Sequence, residues 1–228
     1  MRAAVKICGL VRPEDAAVAA AAGARYVGTI FAGGPRLVTP AQARAVYDAA
    51  PECTRVAVMG HEPVEDLVAR AMQAGADIVQ LHGDPSPRTV EAVREAWPGG
   101  VWAALRVPAD ALDVERAAAL FAVADGVVLD AFVPGALGGT GVALDWRALV
   151  APLAEVRGRE ASRAQLVVAG GLRPETVGTA IRLLSPDVVD VSSGVERAPG
   201  TKDHDRVRAF TAAARGDEEQ LSLLGEQA

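Results

Sequence analysis

Short runs of apolar, β-branched residues recur along this chain, and each is followed by an Ala-rich stretch with helical periodicity. The runs fall near 4–8, 26–31, 55–59, 77–82, 101–107, 126–130, 165–169 and 188–192. They are apolar almost throughout instead of alternating with polar residues, as expected of parallel strands covered on both faces. Helical patterns lie between and after them, near 14–22, 40–49, 63–73, 87–96, 113–121, 145–153, 174–184 and 203–214. Helix punctuation agrees with these bounds. Pro13, Pro40 and Pro174 sit where a first-turn proline is tolerated, and Thr39 with Gln42 reads as a capping box. Gly23 and Gly75 close helices in two similar phrases, AAGARYVG and QAGADIVQ, each turning directly into a strand.

Strict alternation of strand and helix indicates a parallel sheet, and eight such units are the number that closes a barrel. The expected fold is therefore α/β, a single (β/α)8 TIM barrel with a closed parallel eight-stranded sheet. It fills residues 1–215 and leaves 216–228 as a polar C-terminal tail. An open doubly wound sheet would bring a glycine-rich dinucleotide fingerprint after the first strand, and KICGLVRPED carries one glycine there.

Composition narrows the function classes. The chain of 228 residues is 50% hydrophobic and 23% charged, which supplies a large core and argues against disorder. No apolar run approaches the roughly 20 residues needed to span a bilayer. Lys6 and Cys8 interrupt the apolar start, so a signal peptide is not expected either. A cytoplasmic protein with no membrane partner follows as the expectation. The net charge of −6, without a basic cluster, speaks against nucleic acid. Two cysteines, Cys8 and Cys53, are too few for a metal tetrad and read as free thiols in that compartment.

In barrels of this kind the active site lies at the C-terminal ends of the strands. The polar groups there are Cys8 after the first strand, Arg36 after the second, and His82 with Asp84 after the fourth. Arg106 ends the fifth, Asp130 the sixth, Gly170-Gly171 the seventh, and Asp190 with Ser192-Ser193-Gly194 the eighth. A glycine pair alone reads as a tight turn. Two glycine-bearing turns on adjacent strands point instead to a phosphate held by backbone N–H groups. Cys8 and Asp130 are a thiol and a carboxyl at one mouth, suited to base and acid on one substrate. Taken alone, Cys8 reads better as a small buried hydrophobe, and Asp130 as a cap or ion-pair partner. His82 suits a hydrogen-bonding role better than a metal, since the chain has only three histidines and no second ligand motif. Arg36 becomes a carboxylate clamp only if the substrate is an anion. Trp97, Trp102 and Trp146 read as packing residues, and Cys53 lies far from the mouth.

The phrases VKICGL, GARYVGTIF, PRLVTPAQA, VQLHGD, LDA, GGTGVALDW, VVAGGLRPETV and VDVSSGVERAPGTKDHDRVRAF resemble the phosphoribosylanthranilate isomerase family, in the family's order, from residue 5 to about 210. The resemblance implies an Amadori rearrangement of a small phosphorylated aminoaldose in tryptophan biosynthesis, without metal or other cofactor. It further implies Asp130 as the acid, Cys8 as the base and Arg36 as the clamp on the anthranilate carboxylate. Gly170, Gly171, Ser193 and Gly194 would hold the phosphate, Gly141 within the GGTG of 138–141 would close over the substrate, and His82 and Asp190 would contact it. The family includes monomers and homodimers. Two departures stand out within the motifs: the loop before Arg36 reads GGPR where the family has Ser-Pro-Arg, and Met59-Gly60 replaces a strand-ending Val-Phe, removing an aromatic wall. The competing readings are the related aminoaldose-phosphate isomerase of histidine biosynthesis, in which an aspartate replaces the cysteine, and a non-catalytic phosphate-binding barrel.

Overall fold

The computed structural model describes residues 3–108, 111–131, 144–159 and 164–216. Gly141, with the rest of GGTG, and the tail from 217 lie outside the described residues. The chain runs β1 (Ala4–Ile7), α1 (Pro13–Ala21), β2 (Tyr26–Ile30), α2 (Pro40–Asp48), β3 (Thr54–Met59), α3 (Val64–Ala74), β4 (Ile78–Leu81) and α4 (Pro87–Ala96). It continues through β5 (Gly100–Val107), α5 (Val114–Val123), β6 (Gly126–Ala131), α6 (Trp146–Arg159), β7 (Gln165–Val168), α7 (Pro174–Leu184) and β8 (Val188–Val191). A short 3-10 turn, a two-stranded hairpin of β9 (Glu196–Ala198) and β10 (Thr201–Lys202), and α8 (His204–Arg215) complete it. The strands β1 to β8 form a closed parallel barrel in sequence order, with β8 returning to pair with β1.

The two-residue period of a strand divides each run between two cores. One set of side chains faces the helices and joins the large outer core, among them Ile7, Val27, Ala57, Met59, Leu81, Leu105, Leu129 and Val189. The other set fills the barrel: Tyr26, Val56, Trp102, Ala104, Val128, Val167, Ala169 and Val188, with Ala4 and Ile78 packed against them. Apolar side chains pack on both faces, which is why the strands read as largely apolar runs. Trp102 dominates the floor of the barrel, its ring centroid 5.1 Å from that of Tyr26. Gly126 on the next strand makes the room for it, since a Cβ there would lie 2.7 Å from the indole.

Helix signals in the sequence are realised as expected. Pro13, Pro40 and Pro174 open their helices, Thr39 and Gln42 form the capping box, and Gly75 ends α3 in the left-handed region; Pro87, not singled out in the sequence, opens α4 in the same way. The sixth helix runs to Arg159 where the pattern indicated an end at 153. It passes through Pro152 because Leu149, Leu153 and Val156 form a buried stripe at i, i+4 and i+7. The hairpin before α8 is held to α1 by Asp15, which is fully buried. Its carboxylate accepts from Arg12 Nη2, from the Lys202 amide at 3.1 Å, and meets His204 Nε2 at 2.9 Å. Among the described residues, no helix is long and apolar enough to cross a membrane.

Candidate active site

Two steps further along the interior face, the same alternation that packs the barrel turns polar. Lys6 follows Ala4, Gln80 and His82 follow Ile78, Arg106 follows Ala104, Asp130 follows Val128, and Asp190 follows Val188. Above them opens a cavity of about 250 Å³. Its lining includes Cys8, Arg36, His82, Asp130 and Asp190, together with Gly170, Gly171, Ser193 and Gly194. The described residues given a role at the site from the sequence thus reach one space, while Asp84 and Arg106 do not line it.

Asp130 is buried at the end of β6 and accepts a 2.9 Å hydrogen bond from the Ala131 amide. Burial pushes its carboxyl above the usual carboxylate range and the nearby Asp190 adds to this, while His82 and Arg106 oppose. His82 Nε2 stands 4.0 Å from Asp130 Oδ2. Gly170 lies against this group. A Cβ there would sit 2.8 Å from the Ala131 amide nitrogen, and its φ of 75° is one that glycine tolerates. The two glycine turns also meet, because a Cβ on Gly194 would lie 1.9 Å from the Leu172 carbonyl oxygen. Asp84 turns away from His82, pairing with Arg116 at 2.9 Å and accepting from the Arg106 amide at 3.2 Å.

Cys8 follows β1 directly, its amide bonded to the Val191 carbonyl at 2.8 Å. Burial raises the Cys8 thiol above its ordinary value and Asp190 works in the same direction; Lys6 and Lys202 pull it down. The first of these cations is fully buried and donates from Nζ to Asp190 Oδ2 at 2.8 Å. Among the described residues, Asp190 Oδ1 and Gln80 Oε1 are buried without a hydrogen-bond partner, and both residues line the cavity.

Arg36 does not stand loose in its loop. Its Nε and Nη2 fork onto Glu196 at 2.8 and 2.6 Å, and Glu196 Oε1 also accepts from Lys202 Nζ at 2.9 Å. Burial disfavours charge on Glu196, yet Arg36 and Lys202 hold its carboxyl below the usual range. The fork uses two of the five guanidinium N–H groups, and three are left to meet an anion. Met59, expected to alter the mouth, faces the helices and is fully buried, while Val58 lines the cavity. Reading the sequence alone did not single out Lys6, Gln80, Glu196 or Lys202. A lysine enclosed by apolar neighbours in AVKIC was the available signal for the first.

The sequence profile described as N-(5'-phosphoribosyl)anthranilate isomerase matches residues 5–213. The isomerase of that name from Rubrobacter xylanophilus is 43% identical over 217 residues, covering 93% of this chain and 99% of the relative. The one from Pseudomonas putida KT2440 is 40% identical over 213 residues, 92% of this chain and 96% of its own. Among solved structures, phosphoribosyl anthranilate isomerase from Thermotoga maritima superposes with a TM-score of 0.81 at 34% identity, covering 94% of this chain and 99% of its own. A phosphoribosyl anthranilate isomerase in complex with reduced 1-(o-carboxyphenylamino)-1-deoxyribulose 5-phosphate superposes with a TM-score of 0.78 at 33% identity, covering 94% of this chain and 99% of that one.

Proposed function

This chain belongs to the N-(5'-phosphoribosyl)anthranilate isomerase family, and on that premise we propose that Asp130 and Cys8 carry the family's rearrangement as acid and base. The activity is isomerisation of N-(5'-phosphoribosyl)anthranilate in tryptophan biosynthesis. The observation that carries the assignment of roles is the convergence of Cys8, Asp130, Asp190 and Arg36 with both glycine turns on one cavity.

The substrate's phosphate lies against Gly170, Gly171, Ser193 and Gly194, and its carboxylate meets the open edge of Arg36. Asp130 donates a proton to the furanose ring oxygen as the C1–O bond breaks, leaving an iminium at C1. A carboxyl kept protonated by burial suits this step. The Cys8 thiolate then takes the proton from C2, and the electrons of that C–H bond move into a C1–C2 double bond as the iminium nitrogen is neutralised. The resulting enolamine tautomerises to the 1-amino-1-deoxyketose. Asp190, anchored on one oxygen by Lys6, offers the other to a substrate hydroxyl, with His82 nearby. The reaction moves only protons. We place the enzyme in the cytoplasm as a monomer or homodimer; one isomerase of this family, from Thermotoga maritima, is described as dimeric.

The test is turnover of phosphoribosylanthranilate, followed by loss of anthranilate-adduct fluorescence. Cys8→Ser and Asp130→Asn should each lower kcat by about 10²–10⁴-fold, the usual range for a positioned acid or base, with far-UV dichroism unchanged. Near wild-type turnover in either folded variant would remove that residue from its role.

A further inference from the structure

Lys6 is an ammonium sealed inside the barrel, and neither the packing nor the acid–base assignment by itself accounts for it. A buried cation is costly unless it is paired. Here it pairs with Asp190 across the β1–β8 register at 2.8 Å, with its side chain fully buried. Gly28 on β2 leaves room for both the lysine and the thiol. A Cβ on that glycine would lie 3.1 Å from Lys6 Cε and 3.2 Å from Cys8 Sγ, so lysine and thiol flank the same missing methyl group.

We propose that Lys6 is a positioning residue of the reaction: anchored by Asp190 beneath the cavity, its ammonium supplies the counter-charge against which the Cys8 thiolate forms. The proposal deepens the reading of Cys8 as base and rests on it. Other charges and titratable groups act on the same thiol. Asp190 on β8 opposes ionisation, Lys202 on β10 favours it, and Arg36 after β2 and Tyr47 on α2 are within electrostatic reach. Lys202 is committed to Glu196 and the Ser192 carbonyl, whereas Lys6 lies on β1 two residues before Cys8. Asp190 then has two roles. It holds the ammonium in place with one oxygen and turns the other to the cavity.

The experiment reads the thiol directly, apart from turnover. The rate of Cys8 alkylation by iodoacetamide is measured against pH, resolved from Cys53 by peptide mass spectrometry. Removing a neighbouring opposite charge moves a pKa by about one unit or more, so Lys6→Met should raise the alkylation midpoint by that amount and cut labelling at pH 7 about tenfold. Asp190→Asn should move the midpoint the other way, because it removes a repelling charge while the amide oxygen can still accept from Lys6 Nζ. A generally loosened barrel would not shift the two midpoints in opposite directions. Should Lys6→Met fail to fold, the neutralised pair Lys6→Met with Asp190→Asn takes its place, with a midpoint above that of Asp190→Asn alone. If neither lysine variant folds, Lys6→Gln with Asp190→Asn is read in the same way, its midpoint again above that of Asp190→Asn alone. An unchanged midpoint in Lys6→Met, or one in Asp190→Asn that stays put or rises, would overturn the proposal. If the midpoints move as expected while Cys8→Ser turns over normally, the electrostatic coupling stands and the base assignment fails.

Discussion

Cys8 and Asp130 are both displaced toward their uncharged forms, the thiol and the carboxyl each raised chiefly by burial. The proposed reaction needs a thiolate beside a protonated carboxyl, and that combination determines the shape of the pH profile. Below the Asp130 pKa the acid is fully protonated, so kcat/KM climbs about tenfold per pH unit with the thiolate fraction. Between the two pKa values the gain in thiolate offsets the loss of acid, and the rate is flat. Above the Cys8 pKa only the loss of acid remains, and kcat/KM falls. A pH profile of the wild type should show this broad bell, and residual activity in Asp130→Asn should lack the alkaline fall. In the proposed reaction Arg36 serves binding more than chemistry, because the substrate carboxylate keeps its charge throughout. Arg36→Met should raise KM roughly tenfold to a hundredfold, the equivalent of about 1.5–3 kcal/mol, with kcat little changed. Glu196→Gln weakens the salt-bridge partner of the same guanidinium and should raise KM by a smaller factor. Steady-state kinetics separate the two constants. Cys8, Asp130 and Arg36 were legible in the sequence because each follows a strand inside a family motif. Glu196 and Lys202 were not, since pairing across a hairpin has no local pattern that announces it.

At the scale of elements, the strands were legible because each is short, apolar on both faces and bounded by a turn. The end of α6 was not, because Pro152 signals a stop that the buried stripe beyond it overrides. The hairpin of β9 and β10 escaped notice for a different reason: its strands are three and two residues long, and their hydrophobic content is too low to show a period. What holds that hairpin in place is Asp15. Burial disfavours its charge, but Arg12, His204 and the Lys202 amide hold the carboxyl below its ordinary value. A carboxyl with a lowered folded pKa stabilises the fold above its unfolded pKa, and the contribution is lost as pH falls through the folded value. Asp15→Asn should therefore cost about 1–3 kcal/mol at pH 7. Urea denaturation should show the deficit narrowing as the pH is taken below 4, roughly the unfolded carboxyl value. A deficit of constant size would mean that the side chain matters for its shape alone.

The molecule as a whole keeps its packing anchor and its chemistry at opposite ends of one sheet. Trp102 plugs the floor, and the strand ends carry the titratable groups. Gly126→Ala pushes a methyl group into the indole and should destabilise the protein by about 1–3 kcal/mol. The kcat and KM of the folded enzyme should stay near wild type, since the insult is remote from the mouth. Thermal unfolding and kinetics on the same preparation would check both halves of that statement. The Lys6–Asp190 pair lies on the seam where the first strand meets the last. As the polypeptide is synthesised, Lys6 is among the first residues to emerge and its partner among the last. Until β8 is made, the lysine has no carboxylate to accompany it into the interior, and an unpaired ammonium stays hydrated. Leaving that ammonium unpaired makes closure of a seven-stranded sheet around a dry core costly. Closure awaits the strand that carries the missing charge.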